Sequence, residues 1–239
     1  MNKSLSVPIK CAECPIRHRA VCARCDAQEL IMLESMKSYR SFAAGDTILW
    51  RGEPLQYVAS VVKGIATLSK TMEDGRTQMV GLLLPSDFIG RPGRQEISFD
   101  VTATTDVTLC CFDRLKFERV VEETPHIAQR LMELALDELD AARDWMLLLG
   151  RKKAREKIAT FVHMLARRSK HDESDAEFSV DLPMTRDQIA NYLGLTFETV
   201  SRHFSALKAE KLIDFKDRRH LIVKDLAGLQ AETGDDCDI

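Results

Sequence analysis

The stretch from Met184 to Leu212 constrains the fold of this chain most, because its pattern predicts two short helices joined by a tight turn. Thr185 lies three residues before Gln188, which is the spacing of a capping box at the start of a helix. Gly194 then breaks the apolar pattern and ends this first helix. Such a pair is typical of a helix-turn-helix, although an ordinary amphipathic pair on a protein surface has the same spacing.

The second helix of this pair is predicted to have an apolar face and a hydrogen-bonding face. Its apolar residues at helical spacing are Val200, Phe204 and Leu207. Its outward-facing residues are Glu198, Ser201, Arg202 and Ser205. A glutamate can accept from cytosine N4, an arginine can bind guanine O6 and N7 with two bonds, and a serine hydroxyl can bond to either base type. The candidate DNA contacts are Glu198, Ser201 and Arg202, together with Thr196 and Thr199 at the start of the same helix.

The run LGLTFETVSR, from Leu193 to Arg202, closely resembles the recognition helix of the CRP/FNR family. Its glutamate, serine and arginine match the E-x-x-S-R pattern of the FNR branch. Nearly the whole chain resembles that branch, and in particular its FnrL-type oxygen-responsive regulators. The resemblance implies a homodimer that binds inverted repeats with TTGA-type half-sites in double-stranded DNA. It also implies RNA polymerase as a partner in activating anaerobic gene expression.

Length and composition are those of a globular cytoplasmic protein. The chain has 239 residues, 45% of them hydrophobic, which is enough for one large or two modest domains. The apolar run from Trp145 to Leu149 is far too short to span a bilayer, so no membrane contact is expected. The net charge is −3, but basic residues outnumber acidic ones between Arg151 and Lys224. The basic clusters there, which could contact phosphates, are Arg151–Arg155, Arg167–Lys170 and Lys216–Arg219.

The N-terminal segment CAECPIRHRAVCARC, from Cys11 to Cys25, has two CxxC pairs separated by seven residues. This density is typical of a zinc or an iron–sulfur site, because thiolates are ligands for both. The gap between the pairs is shorter than the ~15–20 residues of a zinc ribbon, but spacing alone does not choose the metal. A disulfide framework is not expected in a cytoplasmic chain. Four free surface thiols are the weakest alternative, because exposed thiols are reactive.

Turn signals at regular intervals after residue 40 predict a small β-barrel or jelly roll. The predicted strands are Tyr57–Val62, Ile65–Lys70, Thr77–Leu84 and Val101–Phe112. This region resembles the cyclic-nucleotide-binding fold of the CRP family. Arg91 stands where that fold has a ribose-binding glutamate, and Ile97 and Ser98 stand near its phosphate-binding pair, so no cyclic nucleotide is expected. A barrel enzyme is also not expected, because no histidine lies between Arg40 and Phe112 to bind a catalytic metal.

A long helix is predicted to begin at Pro125 and to end at Gly150. Its apolar or small residues, at steps of four and three, are Ala128, Met132, Ala135, Leu139, Ala142, Met146 and Leu149. This heptad pattern predicts a dimer seam along Met132, Ala135, Leu139, Ala142 and Met146, although such a helix could instead pack on the barrel. A dimer would match the symmetry of an inverted repeat.

Shorter elements complete the predicted organisation. They are a helix at Gln28–Lys37, a basic helix at Lys152–Arg168, a polar loop over 171–177, and wing strands at Leu212–Phe215 and His220–Val223. The fold class is α+β: an N-terminal cyclic-nucleotide-binding-like β-roll, a long dimerisation helix and a C-terminal winged helix-turn-helix. The predicted segments are 1–29 (cysteine-rich), 30–124 (β-roll), 125–150 (dimerisation helix), 151–226 (DNA-binding domain) and 227–239 (acidic tail).

The resemblance to the FNR branch also implies a [4Fe–4S] cluster as cofactor. Three N-terminal cysteines and one from the barrel bind it in that branch. By position, the ligands implied here are Cys11, Cys14, Cys22 and Cys110, with Cys25 and Cys111 as alternates. The opposing hypothesis is a CRP-family regulator whose N-terminus binds structural zinc or undergoes thiol redox chemistry, without sensing oxygen through a cluster.

Overall fold

The computed structural model describes residues 10–169 and 177–234, without the side chains of residues 168 and 169. The polar loop predicted over 171–177 lies outside the described residues except for Glu177, and so does the acidic end of the chain with Cys237. Within the described ranges, no helix is both long enough and apolar enough to cross a membrane.

The cysteine segment leads into a short helix that is capped by its own sequence. A 3-10 turn at Cys11–Glu13 begins the segment, and further turns follow up to residue 24. Asp26 then accepts hydrogen bonds from the amides of Gln28 and Glu29, while the Glu29 carboxylate accepts from the Asp26 amide. This capping box starts α1 at Ala27–Met36, within one residue of the predicted helix.

The β-roll consists of two facing sheets with an apolar core between them. One sheet contains β1 (Lys37–Phe42), β8 (Val107–Asp113), β3 (Tyr57–Lys63) and β6 (Phe88–Ile89), in that order. The other contains β2 (Thr47–Leu49), β7 (Asp100–Ala103), β4 (Ala66–Thr71) and β5 (Thr77–Leu83). Val61 and Leu109, which are paired in register on one face of the first sheet, are fully buried. The predicted jelly roll is confirmed.

The single strand predicted over Val101–Phe112 is wrong, because the chain forms two strands there that belong to different sheets. The break lies at residues 104–106, where backbone and side-chain hydrogen bonds fix a turn. The Thr105 hydroxyl accepts from the Ile65 amide at 2.9 Å, and the Asp106 carboxylate accepts from the Ala44 amide at 3.0 Å. The β-branched sequence predicts an extended chain here but carries no signal for the sheet to which each half belongs.

Two helices follow the roll. α2 spans Arg114–Glu123, which the sequence reading did not predict, and α3 spans Pro125–Arg151. The chain divides into two compact units, with the division between Ala141 and Ala142 inside α3. This lies before the boundary predicted near Gly150, because the last turns of α3 pack in the second unit, where Trp145 stacks on Tyr192 with ring centroids 3.9 Å apart.

The second unit contains the predicted winged helix-turn-helix. Its elements are α4 (Ala154–Ser169), β9 (Phe178–Asp181), α5 (Arg186–Leu193), α6 (Phe197–Ala209), β10 (Ile213–Phe215), β11 (His220–Val223) and α7 (Leu226–Ala231). The wing was predicted from β10 and β11, but β11 also pairs with β9, which precedes the helix pair. A short helix, α7, occupies part of the segment predicted as a tail.

Candidate functional site

Local sequence signals position the two helices of the candidate DNA interface. The Thr185 hydroxyl accepts from the Gln188 amide at 3.2 Å, and the Gln188 side chain accepts from the Thr185 amide at 2.9 Å. Gly194 adopts the left-handed conformation, with φ +62°, and its amide closes the end of α5. Thr196 then caps α6 by accepting from the Thr199 amide at 3.2 Å. Both predicted caps and the predicted turn are therefore confirmed.

The faces of α6 are divided as its sequence predicts. Val200, Phe204 and Leu207 are fully buried against the rest of the unit. Glu198 and Arg202 are exposed, while Ser201 and Thr199 are half-buried. The exposed side therefore carries a carboxylate and a guanidinium one helical turn apart, with hydroxyls between them, at the N-terminal end of the helix. These groups match the donors and acceptors of base edges in a major groove.

Three basic residues outside α6 stabilise this interface. The Lys157 side chain is buried, and its Nζ donates to the Leu193 carbonyl at 3.3 Å, at the C-terminal end of α5. Arg155 donates to Glu232 at 2.5 Å and also binds Glu210, which joins α4 to the ends of α6 and α7. Arg155 was predicted in a phosphate-binding cluster, but its guanidinium is committed to these carboxylates. The pKa of Arg155 is raised by its hydrogen bonds to Glu232 and then Glu210.

Arg186 is the third of these residues. Its guanidinium lies over the rings of Phe204 and Phe215, 4.8 and 4.9 Å from their centroids. Burial lowers the pKa of Arg186, and the two aromatic rings lie against its charge. The sequence did not predict this contact, because α5, α6 and β10 come together only in the folded structure.

The predicted dimer seam is an exposed apolar stripe on α3. The exposed fractions are 60% for Met132, 45% for Leu139 and 66% for Met146, and the two alanines of the stripe are exposed as well. Leu136 and Leu147 widen the stripe, at 53% and 52% exposed. Apolar residues at heptad spacing with this exposure are typical of a helix that pairs with another copy. The seam itself stays a prediction.

The cysteine segment packs closely on the first unit. Ile16, Ala20 and Val21 are buried in its core, between the two CxxC pairs. The Cys11 amide donates to the Glu34 carboxylate at 3.2 Å, which joins the start of the segment to α1. Cys11 and Cys25 are buried, and Cys14 and Cys22 are half-buried. The segment is therefore an integrated part of this unit, with its thiols at or just below the surface.

Strand register places Cys110 and Cys111 on opposite faces of their sheet. Cys110 lies opposite Tyr39, and Cys111 lies opposite Ser38 on the same neighbouring strand. Alternation along β1 puts Lys37 on the Cys110 face, and the Lys37 Nζ donates to the Cys11 sulfur at 3.3 Å. Arg40 lies on the Cys111 face. Burial raises the pKa of the Cys111 thiol to about 12, and the charge of Arg40 acts in the opposite direction. Cys110, and not Cys111, therefore lies on the side of the N-terminal thiols.

Mutual electrostatic effects identify which N-terminal thiols lie near Cys110. Burial, followed by the charges of Cys11 and Cys111, raises the pKa of Cys110 well above its usual range, and Cys14 also contributes. Burial, followed by the charges of Cys14 and Cys11, raises the pKa of Cys22 to about 11. For Cys25, burial is followed by the charge of Cys22, and its pKa rises to about 12. Cys11 and Cys14 thus act on both Cys22 and Cys110, whereas Cys22 is the thiol that acts on Cys25.

The surroundings of these thiols fit a negatively charged group. The Nε atom of Arg17 is buried and has no hydrogen-bond partner among the described residues, while the Arg17 charge acts on Cys22 and Cys25. A cation also faces Cys11 from Lys37. Across the described ranges, no three Cys, His, Asp or Glu side chains are grouped closely enough to hold one metal ion as they stand. The donor set suits both zinc and an iron–sulfur cluster.

Long-range contacts tie the cysteine segment to the beginning of α3. The Arg130 guanidinium donates to the Arg19 carbonyl at 2.7 Å and to the Glu133 carboxylate at 3.0 Å. Arg24 also binds Glu133, at 2.7 Å. One helical turn earlier, the His126 ring lies 3.0 Å from the Glu29 carboxylate. No local pattern in the sequence predicts the contacts of Arg19, Arg24 and Glu29 with α3, because their partners are about a hundred residues away in the chain.

Comparison with known families and structures agrees with this architecture. Residues 39–124 match the family described as "Cyclic nucleotide-binding domain", and residues 156–232 match "Crp-like helix-turn-helix domain". The chain is 31% identical to the solved structure of FixK2 from Bradyrhizobium japonicum, with a TM-score of 0.76 over 84% of this chain and 99% of that one.

Curated relatives cover almost the whole length of the chain. It is 61% identical over 232 residues to the transcriptional activator protein FnrL of Cereibacter sphaeroides, which is 96% of this chain and 94% of that protein. It is 40% identical to the nitrogen fixation regulation protein FixK of Bradyrhizobium diazoefficiens, over 83% of each chain. With this degree of similarity across both its units, the chain belongs to the CRP/FNR family and is FnrL-like within it.

Proposed function

We propose that this protein is an oxygen-responsive transcription activator that binds TTGA-type inverted repeats as a homodimer when it carries a [4Fe–4S] cluster. The observation that carries the proposal is the arrangement of thiols. Strand register places Cys110 on the sheet face where Lys37 meets Cys11, and the charges of Cys11 and Cys14 act on both Cys22 and Cys110. These four thiolates would hold the cluster, which would supply a centre that reacts with dioxygen.

The DNA-binding end of the proposal rests on α6. Glu198, Ser201 and Arg202 would read base edges, with Thr196 and Thr199 at the N-terminus of the same helix. The relatives named as transcriptional activators support this role, and as an activator the protein would act together with RNA polymerase. Two copies joined along the α3 stripe would present two such helices to the two half-sites.

Transmission from the thiols to the dimer would run through the polar contacts with α3. While the four thiolates are held together, the segment from Cys11 to Cys25 keeps the Arg19 carbonyl and the Arg24 guanidinium against Arg130 and Glu133. When the thiolates separate, these contacts are lost and the start of α3 is free to repack. Through these contacts, the segment shifts the conformational equilibrium of α3 toward the form that pairs with a second copy.

The deciding experiment is a metal analysis of anaerobically purified protein together with operator binding before and after air. We expect about four iron and about four sulfide per chain, a brown absorption that bleaches in air, and operator affinity that falls as the colour is lost. Iron removal by a chelator under argon is the control that separates loss of the cluster from thiol oxidation.

Two other outcomes would contradict the proposal. Stoichiometric zinc without sulfide would favour a structural zinc segment that does not respond to oxygen, since zinc has no redox chemistry. Metal-free protein whose operator binding nevertheless responds to air would favour thiol oxidation in the same segment.

A further inference from the structure

Lys37 is a buried cation beside the cysteine site, and the function proposed above does not use it. Its side chain is only 6% exposed. Lysine is almost never buried to this degree unless it has charged or polar partners, because removing its ammonium from water is costly. Its partners here are therefore informative.

Lys37 contacts one of the four proposed ligands directly and acts on a second through its charge. Its Nζ donates to the Cys11 sulfur at 3.3 Å and lies 4.0 Å from the Glu34 carboxylate. Glu34 also accepts from the Cys11 amide, so one carboxylate holds the Cys11 backbone and faces the cation. The charge of Lys37 acts on Cys110 as well, and its Nζ lies 5.6 Å from the centre of the Tyr39 ring. Lys37 thus stands where the N-terminal segment meets the strand that carries Cys110.

The position of Lys37 follows from the backbone. Its amide donates to the Leu33 carbonyl and closes α1, and Lys37 is at the same time the first residue of β1. Register places it on the Cys110 face of the sheet, two residues before Tyr39. The end of α1 and the start of β1 therefore fix the Cα position of Lys37, and burial of its aliphatic chain fixes the direction of its ammonium group.

We propose that Lys37 is a positioning residue of the cysteine site: its ammonium donates to the Cys11 sulfur in the loaded protein and sets how readily that protein is oxidised. This inference rests on the proposed cluster. Four thiolates around a cluster place net negative charge in a partly buried site, and hydrogen bonds to the sulfur atoms and nearby cations favour the more reduced state. Loss of Lys37 should therefore lower the reduction potential.

The test uses Lys37→Met, which keeps the length and apolar stem, and Lys37→Arg, which keeps the cation and the donor. Lys63→Met is the matched control, because Lys63 is exposed at the end of β3. Each protein is purified anaerobically and assayed for iron, sulfide, midpoint potential in a dye-mediated titration, and rate of bleaching in air-saturated buffer. None of these readouts depends on DNA binding.

We expect Lys37→Met to bleach about tenfold faster than the native protein and to have a lower potential, because one charge-assisted hydrogen bond is lost. Lys37→Arg should restore the bleaching rate to within about threefold, and Lys63→Met should match the native protein. If Lys37→Met takes up no cluster while Lys37→Arg takes up the full amount, the inference is also supported, because the cation is then required.

If Lys37→Met binds the cluster and has the same midpoint potential and bleaching rate as the native protein, the inference is overturned while the cluster proposal stays intact. Loss of the cluster from both variants, with a native circular dichroism spectrum, would overturn it too, because a retained cation would then have had no effect. Absence of iron and sulfide from the native protein itself is a different result, and it would overturn the proposed function.

Discussion

Replacement of Arg130 by Met tests whether the cysteine segment controls the dimer helix through polar contacts. Arg130 is 17% exposed on its side chain and donates to both the Arg19 carbonyl and Glu133. A hydrogen bond from a charged donor contributes about 1.5–3 kcal/mol. Arg24, at the other side of Glu133, is 50% exposed, so its ion pair contributes at most about 1 kcal/mol.

These magnitudes predict a large effect for Arg130 and a small one for Arg24. The coupling between the thiols and DNA binding is the ratio of operator dissociation constants after and before exposure to air, and about 1.4 kcal/mol corresponds to a factor of ten. Arg130→Met should reduce this ratio by about 10- to 100-fold, while Arg24→Ala should change it by less than about fivefold.

The assay is fluorescence anisotropy with a labelled TTGA palindrome, on the same anaerobic sample before and after air. Iron and sulfide are measured in parallel, so that loss of coupling is not confused with loss of the cluster. Arg130→Met with a native cluster content and an unchanged ratio would refute the reasoning. An equally large loss in Arg24→Ala would show that burial does not decide which contact matters.

Three further substitutions test other parts of the molecule. Leu139→Glu should leave mainly monomers in sedimentation, because an unpaired charge costs several kcal/mol in each copy of a buried seam. Asp137→Lys, on the opposite side of α3, should leave the dimer intact. A Leu139→Glu protein that remains a dimer would disprove the seam. Arg202→Ala should weaken binding to the TTGA palindrome by about 1–3 kcal/mol per half-site and abolish the preference for guanine, and equal losses on all sequences would exclude base reading. Arg155→Met should lower the free energy of unfolding in urea by about 1–2 kcal/mol, since it removes the bridge to Glu210 and Glu232; an unchanged midpoint would show that these surface-facing bonds contribute nothing.

Much of the fold could be predicted because its signals are local. The caps at Thr185 and Thr196, the left-handed Gly194 and the apolar faces of α6 each depend on residues within four positions of one another. The split of the predicted strand Val101–Phe112 and the pairing of β9 with the wing could not be predicted, because strand partners are chosen by the whole sheet.

The candidate site divides in the same way. Cysteine spacing alone indicates a metal or cluster site, and the family resemblance implied Cys110. That Cys110 and Cys111 lie on opposite faces of the sheet is known only from the register of their strand with β1. Lys37 and Arg130 each have an acidic residue three positions away, but a buried cation and an exposed one look alike in a sequence. Their importance depends on partners that are distant in the chain and adjacent in the fold.

The central claim is tested most directly by two pairs of serine variants. Cys22→Ser is paired with Cys25→Ser, and Cys110→Ser with Cys111→Ser, so that each proposed ligand has a neighbouring thiol as its control. All four cysteines are buried or half-buried, and the substitution removes a thiolate with little change of volume. Anaerobic iron and sulfide content and operator affinity are measured for each variant.

We predict that Cys22→Ser and Cys110→Ser lose both the cluster and tight operator binding, whereas Cys25→Ser and Cys111→Ser retain both. Loss of the cluster from Cys25→Ser with retention in Cys22→Ser would show that the third ligand is wrong. Full iron and sulfide in all four variants would contradict the account, because the cluster would then be bound elsewhere in the chain.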